Sequence, residues 1–281
     1  MNRFLLIILA LVLIAATALI AMHLVHRSST KDLLAEMLSV RPEGAADTIA
    51  LEESIRGLPT PVQRYFRMAL PASVPAHGMV RIDQQGELMV APGAEEYLKF
   101  TAVHNAIWGV PGFLWHAKID FFPPLYIAVL DAYMDGTGTG KVLLQSTVPM
   151  GNRQDEPELN SGALYRYLAE SVWYPPALLP ANGVTWSEIS ENKALATLAH
   201  NGIIVSLEFT FNQAGEIESI YTGNRAGLFD GAYETYPWEG RFSDYRSVSG
   251  FRIPHYGEVG WHLPSGYWLF WKGHIVSANY E

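Results

Sequence analysis

From residue 78 to the C-terminus, short runs of alternating apolar and polar residues follow one another, and this alternation limits the possible folds more than any other feature. Side chains that point to opposite faces in turn are typical of β-strands. Turn sequences such as His200-Asn201-Gly202 separate several runs, as in antiparallel hairpins. We predict twelve strands, at 79–90, 95–104, 113–121, 125–134, 139–147, 184–189, 193–199, 203–211, 216–225, 238–247, 255–263 and 267–277.

Helical patterns precede the strands and interrupt them once. We predict helices at 31–39, at 47–57 with Asp47 as the N-cap, and from Thr60 onward, where a proline occupies the first helical position. A further helix is predicted at 158–172, with one apolar face. This order indicates an α+β fold, in which a large curved antiparallel sheet, shaped like a half-barrel, carries N-terminal helices and one inserted helix.

The N-terminus carries an uncharged apolar run from Phe4 to Met22. A membrane-spanning helix needs roughly 20 such residues, whereas the apolar part of a secretion signal has about 7–15. We therefore predict an N-terminal transmembrane anchor over 1–27, a juxtamembrane helical stalk over 28–57, and a single α+β domain over 58–281. The alternative is a long signal peptide that is cleaved.

Several function classes are excluded by composition and missing motifs. The chain has no cysteine, which excludes disulfides, thiolate metal sites and cysteine nucleophiles. Its net charge of −9 argues against a nucleic-acid partner. The glycine-rich segment at 135–142 lacks the first glycine and the final hydroxyl of a phosphate-binding loop. We predict no cofactor and no metal site, although His104 and His116 could meet across neighbouring strands. The sequence does not determine the oligomeric state.

Three charged residues fall in the apolar phase of predicted strands: Asp131, Arg225 and Asp244. An unpaired charge in a core is costly, so such groups need partners or a wet cavity. In one interpretation, Arg225 pairs with Asp244 or Asp131 and fixes the sheet register. In the other, the three groups converge on a cavity that binds a polar head or performs acid–base chemistry.

Aromatic residues are the candidates for the apolar part of such a cavity, namely Trp115, Tyr133, Trp238 and Trp261. Large β-sheet cores use the same residue types, so core packing is the competing interpretation. Trp108 lies in a loop with glycine and proline, and we expect it to be exposed at a cavity lip or against lipid headgroups.

Several motifs occur in an order that resembles an uncharacterised bacterial family, catalogued as a domain of unknown function and often preceded by a membrane segment. These motifs are Leu58-Pro59-x-Pro61-Val62-Gln63-Arg64-Tyr65-Phe66, Pro111-Gly112-Phe113-x-Trp115, Tyr133-x-Asp135-Gly136-x-Gly138, Arg166-Tyr167-Leu168-Ala169-Glu170, Trp238-x-Gly240-x-Phe242-x-Asp244-Tyr245 and Ile253-Pro254. The resemblance implies no activity. More loosely, the order of helices and strands is similar to that of periplasmic lipoprotein carriers.

We expect a single-pass protein of the bacterial inner membrane with its acidic domain outside the cytoplasm. Our leading hypothesis is that Asp131, Arg225 and Asp244 orient the polar part of a lipid or other amphipathic ligand in the curved sheet, while the aromatic residues line its apolar part. One alternative is a hydrolase-type enzyme that uses Asp131 or Asp244 as an acid or base. Another is an envelope scaffold with a filled core and no ligand.

Overall fold

A computed structural model of the chain describes residues 3–40, 47–122 and 124–281. The helices are α1 (Arg3–Ser39), α2 (Leu51–Ser54), α3 (Thr60–Ala69) and α4 (Pro157–Glu170), and three short 3₁₀ turns follow α4. The strands are β1 (Thr48–Ala50), β2 (Ser73–Pro75), β3 (Gly78–Leu88), β4 (Leu98–Trp108), β5 (Gly112–Phe122), β6 (Leu125–Met134), β7 (Thr137–Leu144), β8 (Val148–Gln154), β9 (Val184–Ser190), β10 (Lys193–His200), β11 (Ile203–Phe211), β12 (Ile217–Phe229), β13 (Ala232–Val248), β14 (Phe251–Leu263) and β15 (Gly266–Tyr280).

Strands β3 to β15 form one antiparallel sheet of 13 strands within the described residues. The spatial order is β8-β7-β6-β5-β4-β3-β15-β14-β13-β12-β11-β10-β9. Strands β8 and β9 do not pair with each other, so the sheet is curved but not closed. The α+β fold with a large curved antiparallel sheet is therefore confirmed.

The strand register arranges the concave-face residues of β4 to β7 in rows that cross the sheet. A row of Ala106, Phe113, Tyr133 and Gly138 lies under α4. The row beside it consists of His104, Trp115, Asp131 and Gly140 and contains the only charge of these rows. The next row consists of Ala102, Ala117, Val129 and Val142. The row after that consists of Phe100, Ile119, Ile127 and Leu144. Outside the row under α4, polarity on this face therefore decreases with distance from α4.

Helix α4 lies against the concave face and contacts both halves of the sheet. Its Leu164 and Leu168 are fully buried in the main core. The Tyr167 hydroxyl donates to the carbonyl oxygen of Ile107 at 3.0 Å, and the Gly138 N–H donates to Asn160 Oδ1 at 2.7 Å. These contacts close one end of the half-barrel.

The twelve predicted strands and the inserted helix all occur, with shifted ends. Strand β8 was missed because its exposed sequence Val-Pro-Met-Gly-Asn-Arg-Gln carries no alternation of apolar residues. The predicted helix at 47–57 is wrong: Ile49 pairs with Val74 in the two-stranded sheet of β1 and β2, and only one helical turn, α2, follows. Strand pairing has overridden the capping signal of Asp47.

The predicted anchor and the helix at 31–39 fall on one continuous helix, α1. The C-terminal part of α1 lies on the convex face of the sheet, where fully buried Met37 contacts a cluster that includes Ile107 and Leu114. Across residues 3–40, 47–122 and 124–281, no helix combines the length and the hydropathy needed to cross a membrane. The transmembrane anchor therefore stays a prediction.

Replacement of Leu207 by alanine tests the assigned core. Leu207 on β11 is fully buried, so Leu207→Ala should lower the free energy of unfolding by about 2–5 kcal/mol. Ile204 on the same strand is 69% exposed, and Ile204→Ala should change the stability by less than about 0.5 kcal/mol. Urea unfolding followed by tryptophan fluorescence measures both, and equal losses would contradict the assignment of faces on β11.

Candidate functional site

A cavity of about 520 Å³ lies between α4 and the concave face. This volume is within the range of small-molecule sites, which is roughly 300–1,000 Å³. Most of the wall is apolar and includes Ile119, Ile127, Val129, Val142, Phe242 and Trp271. Asp131, Arg166, Glu170 and Arg225 cluster where α4 meets the sheet, and one further carboxylate, Glu258 on β14, also lines the wall. The cavity is therefore amphipathic.

Arg166 organises the polar end of the cavity. Its Nη1 donates to Asp131 Oδ2 at 2.7 Å, and its Nε donates to Glu170 Oε1 at 2.7 Å. Glu170 lies four residues after Arg166 on α4, so the two side chains share one helix face. The guanidinium of Arg166 also lies 4.8 Å from the ring centre of Trp115. One helix thus fixes a cation between two carboxylates.

Burial and the charges within the cluster together set the pKa values of its members. It raises the pKa of Asp131 and that of Glu170, although the charge of Arg166 opposes both increases. Burial also acts to lower the pKa of Arg166, but the charges of Glu170 and Asp131 outweigh it and the pKa rises. Arg166 is therefore held in its charged form, and the two carboxyl groups take up protons more readily than exposed ones.

His104 lies beneath this cluster and is fully buried. Its Nε2 is 3.5 Å from Glu170 Oε2, and neither ring nitrogen has a hydrogen-bond partner among the described residues. Burial, together with the charge of Arg166, lowers the pKa of His104 well below its usual value. His104 is therefore neutral at physiological pH. His116 lies on the opposite face of the sheet, so the two histidines cannot share a metal.

Arg225 is the second cation of the cavity wall and is held differently. Its guanidinium lies 4.5 Å from the ring centre of Trp238 and 4.9 Å from that of Trp261, and its Nη2 donates to the Gly162 carbonyl oxygen at 3.0 Å. Among the described residues, no carboxylate lies within ion-pair distance of Arg225. Burial and the charge of Arg166 lower the pKa of Arg225 to about 10, so Arg225 remains charged at neutral pH.

Three N–H groups of the cavity wall are buried without an acceptor in the described part of the chain: Trp173 Nε1, Arg225 Nε and Trp238 Nε1. Glu170 Oε2 is the corresponding acceptor without a donor. Buried donors without partners cost about 1–3 kcal/mol each. Among the fully buried, unpartnered atoms of the described wall, donors therefore outnumber acceptors.

The structure brings together Trp115, Asp131, Arg225 and Trp238, four of the seven residues that the sequence indicated. Trp261 supports Arg225 from the side of the sheet. Tyr133 lies elsewhere, in the core, and its hydroxyl is 2.8 Å from His200 Nδ1.

Asp244 does not lie in the cavity. Its backbone is left-handed (φ +57°), which interrupts the alternation of β13 and turns the side chain to solvent. There Arg246 Nη2 donates to Asp244 Oδ2 at 2.6 Å, and this hydrogen bond lowers the pKa of Asp244. Arg225 therefore has neither Asp244 nor Asp131 as an ion-pair partner.

Sequence reasoning missed Arg166 and Glu170, because both lie off the apolar stripe of α4 and resemble a solvated pair. The available signal was that Arg166 and Glu170 are four residues apart and so share one helix face, while Asp131 falls in the apolar phase of its strand. The expected exposure of Trp108 is wrong, since this residue is 2% exposed and its Nε1 donates to the Pro75 carbonyl oxygen at 3.0 Å.

Residues 56–280 match the model of a family described as "Family of unknown function (DUF6920)". This match confirms the family that the motifs indicated. No curated protein matches the chain. Among solved structures, the chain is similar to a LolA superfamily protein from Nitrosomonas europaea, with 10% sequence identity, a TM-score of 0.38, and coverage of 82% of this chain and 93% of that chain. A likeness at this level carries no argument about fold or function.

The buried state of His104 predicts a pH dependence of stability. The unfolded chain binds a proton at His104 near pH 6.5, whereas the folded chain does so only at much lower pH. Stability should therefore fall as the pH decreases below 6.5, by about 1 kcal/mol between pH 7 and pH 5.5. In His104→Phe this part of the fall should disappear, whereas the exposed His274→Phe should retain it. Urea unfolding at both pH values measures the difference, and an unchanged pH dependence in His104→Phe would contradict the assignment.

Proposed function

The chain belongs to this family of unknown function, and from the geometry of its own residues we propose that it binds an amphipathic, lipid-like ligand with an anionic head. The head lies at the polar end of the cavity, beside Arg225. The apolar part of the ligand extends along the concave face, away from α4.

The single observation that carries this proposal is the charge of Arg225. A cation in the wall of a largely apolar cavity is costly unless an anion approaches it. Arg166 already has two carboxylates, whereas the direct contacts of Arg225 among the described residues are two aromatic rings and one carbonyl oxygen, and the charges of Glu170 and Asp131 act on it from beyond ion-pair distance. An anionic head group supplies the missing partner and forms charge-assisted hydrogen bonds.

The unpartnered donors support a head that is rich in acceptor oxygens. Trp173, Arg225 and Trp238 each have a buried N–H that lacks an acceptor within the described part of the chain. A small rotation of these side chains presents the N–H groups to the cavity. A carboxylate or phosphate then has enough lone pairs to accept hydrogen bonds from all three N–H groups, whereas a hydroxyl oxygen has only two.

The rows of the sheet support an extended apolar part. Asp131, Val129 and Ile127 alternate along β6 and all line the cavity. Four residues of strand span about 13 Å. A hydrocarbon chain that starts near Asp131 therefore meets apolar side chains in both of the rows that follow.

The alternative hypotheses have weaker support. A scaffold with a filled core does not account for a cavity of about 520 Å³. Asp244 is exposed and ion-paired, which is a poor environment for an acid or base. Asp131 remains the candidate for acid–base chemistry because its pKa is raised, but its ion pair with Arg166 stabilises the ionised form.

Arg225→Gln tests the assignment of the head group. Loss of a charge-assisted hydrogen bond costs about 1.5–3 kcal/mol, which corresponds to a loss in affinity of about 10- to 100-fold. We expect this loss for a dansyl-labelled undecanoic acid titrated into the full chain in non-ionic detergent. The matched control Arg246→Gln, at an exposed arginine, should bind as the wild type does. Equal affinities of both variants would contradict the role of Arg225.

We further propose that α1 attaches the protein to the bacterial inner membrane, with the domain outside the cytoplasm. The support is the uncharged run from Phe4 to Met22 and the net charge of −9. Protease added to intact spheroplasts that express the full chain should digest the domain, while a cytoplasmic marker stays intact. A domain that is digested only after the spheroplasts are lysed would contradict this orientation.

A further inference from the structure

Five exposed apolar residues cluster at one end of the sheet, and we call them the apolar rim. They are Val90 (59% exposed), Phe121 (55%), Phe122 (67%), Leu125 (37%) and Val148 (44%). Three separate connections contribute them: β3–β4, β5–β6 and β7–β8. Exposed apolar residues that come from several loops to one place are typical of a contact surface.

The strand register shows that these connections are neighbours. Leu88 pairs with Leu98 at the β3–β4 end, Phe122 with Leu125 at the β5–β6 end, and Leu144 with Val148 at the β7–β8 end. In an antiparallel sheet, every second hairpin turns at the same end of the strands. The apolar rim therefore runs across one end of strands β3 to β8.

The ligand cavity opens at the same end of the strands. Val90 both lines the cavity and is 59% exposed, whereas α4 closes the opposite end. Ile119 and Ile127, in the row farthest from α4, also line the cavity wall. The apolar rim therefore flanks the mouth of the cavity on the side of β3 to β8.

The N-terminal part of α1 points toward this end of the strands. Near the opposite end, its Met37 contacts Ile107 and Leu114. A groove under α1 then extends along the convex face from Leu114 to Tyr126, and His23 also lines it. From Met37 back to Ile20 the helix rises about 26 Å, close to the roughly 26 Å that β5 spans from Leu114 to Phe122 at its tip.

The part of α1 up to about residue 20 therefore extends past the apolar rim. Its described side chains are exposed and, except for Thr17, apolar; they include Ile7, Leu9, Leu11, Leu13, Ile14 and Ile20. The chain thus presents two apolar surfaces at one end, an uncharged helical segment and the rim beside it. A lipid bilayer is the partner that covers both at once, because it offers a continuous apolar layer without matching side chains.

We infer that the apolar rim is a bilayer-contacting surface, which sets the cavity mouth against the lipid. The rim would insert to the depth of the headgroup region, as exposed aromatic residues do at membrane interfaces. That the ligand enters from the bilayer rests on the proposed function, whereas the contact of the rim does not.

The absence of cysteine from the chain allows a site-specific test. Phe122→Cys and Ile204→Cys are introduced singly into the full chain and labelled with the fluorophore NBD. The two positions are matched, with exposures of 67% and 69%. Ile204 lies near the opposite end of the strands. In the turn just before it, Asn201 donates through Nδ2 to Asp135 Oδ1 in the β6–β7 turn at 2.8 Å. Each protein is reconstituted in phosphatidylcholine–phosphatidylglycerol vesicles that contain lipids spin-labelled on the acyl chain.

The spin-labelled lipids should quench the Phe122 label several-fold more than the Ile204 label, and the Phe122 emission should shift to the blue. Equal quenching at both positions would overturn the inference. So would a Phe122 label that is shielded from aqueous iodide but not quenched by the lipids, since a protein would then cover the rim.

Val129→Trp separates this result from the proposed function. Its side chain projects into the cavity, so it should abolish ligand retention in native mass spectrometry while leaving the quenching of the Phe122 label unchanged. Ligand retention by the wild type without quenching at Phe122 overturns the rim alone. Quenching without any retained ligand keeps the rim and removes the proposed function.

Discussion

The packing of α4 against the concave face is the constraint on which the rest of the structure depends. A curved sheet of 13 strands that does not close has an apolar inner face, which must be covered. Helix α4 is too short to cover all of that face: its 14 residues span about 21 Å. It therefore fills one end and leaves the other as a cavity. The polar contacts of Tyr167 and Asn160 with the strands fix this position.

The same packing explains why charges occur at the inner end. Where α4 crosses the row of Asp131, a helix side chain meets a strand carboxylate with little water between them. Arg166 forms ion pairs with that carboxylate and with one from its own helix, so one cation is shared between two carboxylates in the interface. Breaking one member of such a network leaves an uncompensated buried charge, whereas the whole network adds little net stability. The network therefore specifies the position of α4 more than it stabilises the fold, and Arg225 remains the cation with room for another partner.

The sheet was predictable because strand alternation is local and each strand carries its own signal. Strand β11, with five apolar residues on one face, shows this best. Asp131 and Arg225 were identifiable by the same signal, since a charge in the apolar phase of a strand stands out. Arg166 and Glu170 were not, because a charged pair on a helix is ordinary until its neighbours are known. The sequence wrongly placed Asp244 in the cavity. Its own left-handed backbone interrupts the alternation of faces along β13, and nothing in the sequence of β13 indicates this. The exposure of Phe121 and Phe122 depends on how neighbouring hairpins end, which is a property of the register.

The order of polarity along the cavity determines how a ligand would lie in it. Of the cavity rows, the charged row is the innermost, the two apolar rows lie beyond it, and the apolar rim flanks the mouth. A lipid-like ligand bound to Arg225 is therefore oriented with its head inward and its tail toward the rim. Since the outer apolar row lies only about 13 Å from the charged row, a longer tail emerges between the rim residues, where the inferred bilayer contact would receive it. Such a ligand never exposes its whole hydrocarbon chain to water, which removes the largest hydrophobic cost of taking a lipid from a membrane. The arrangement thus suits partial withdrawal of a lipid by its head rather than complete enclosure of a free molecule.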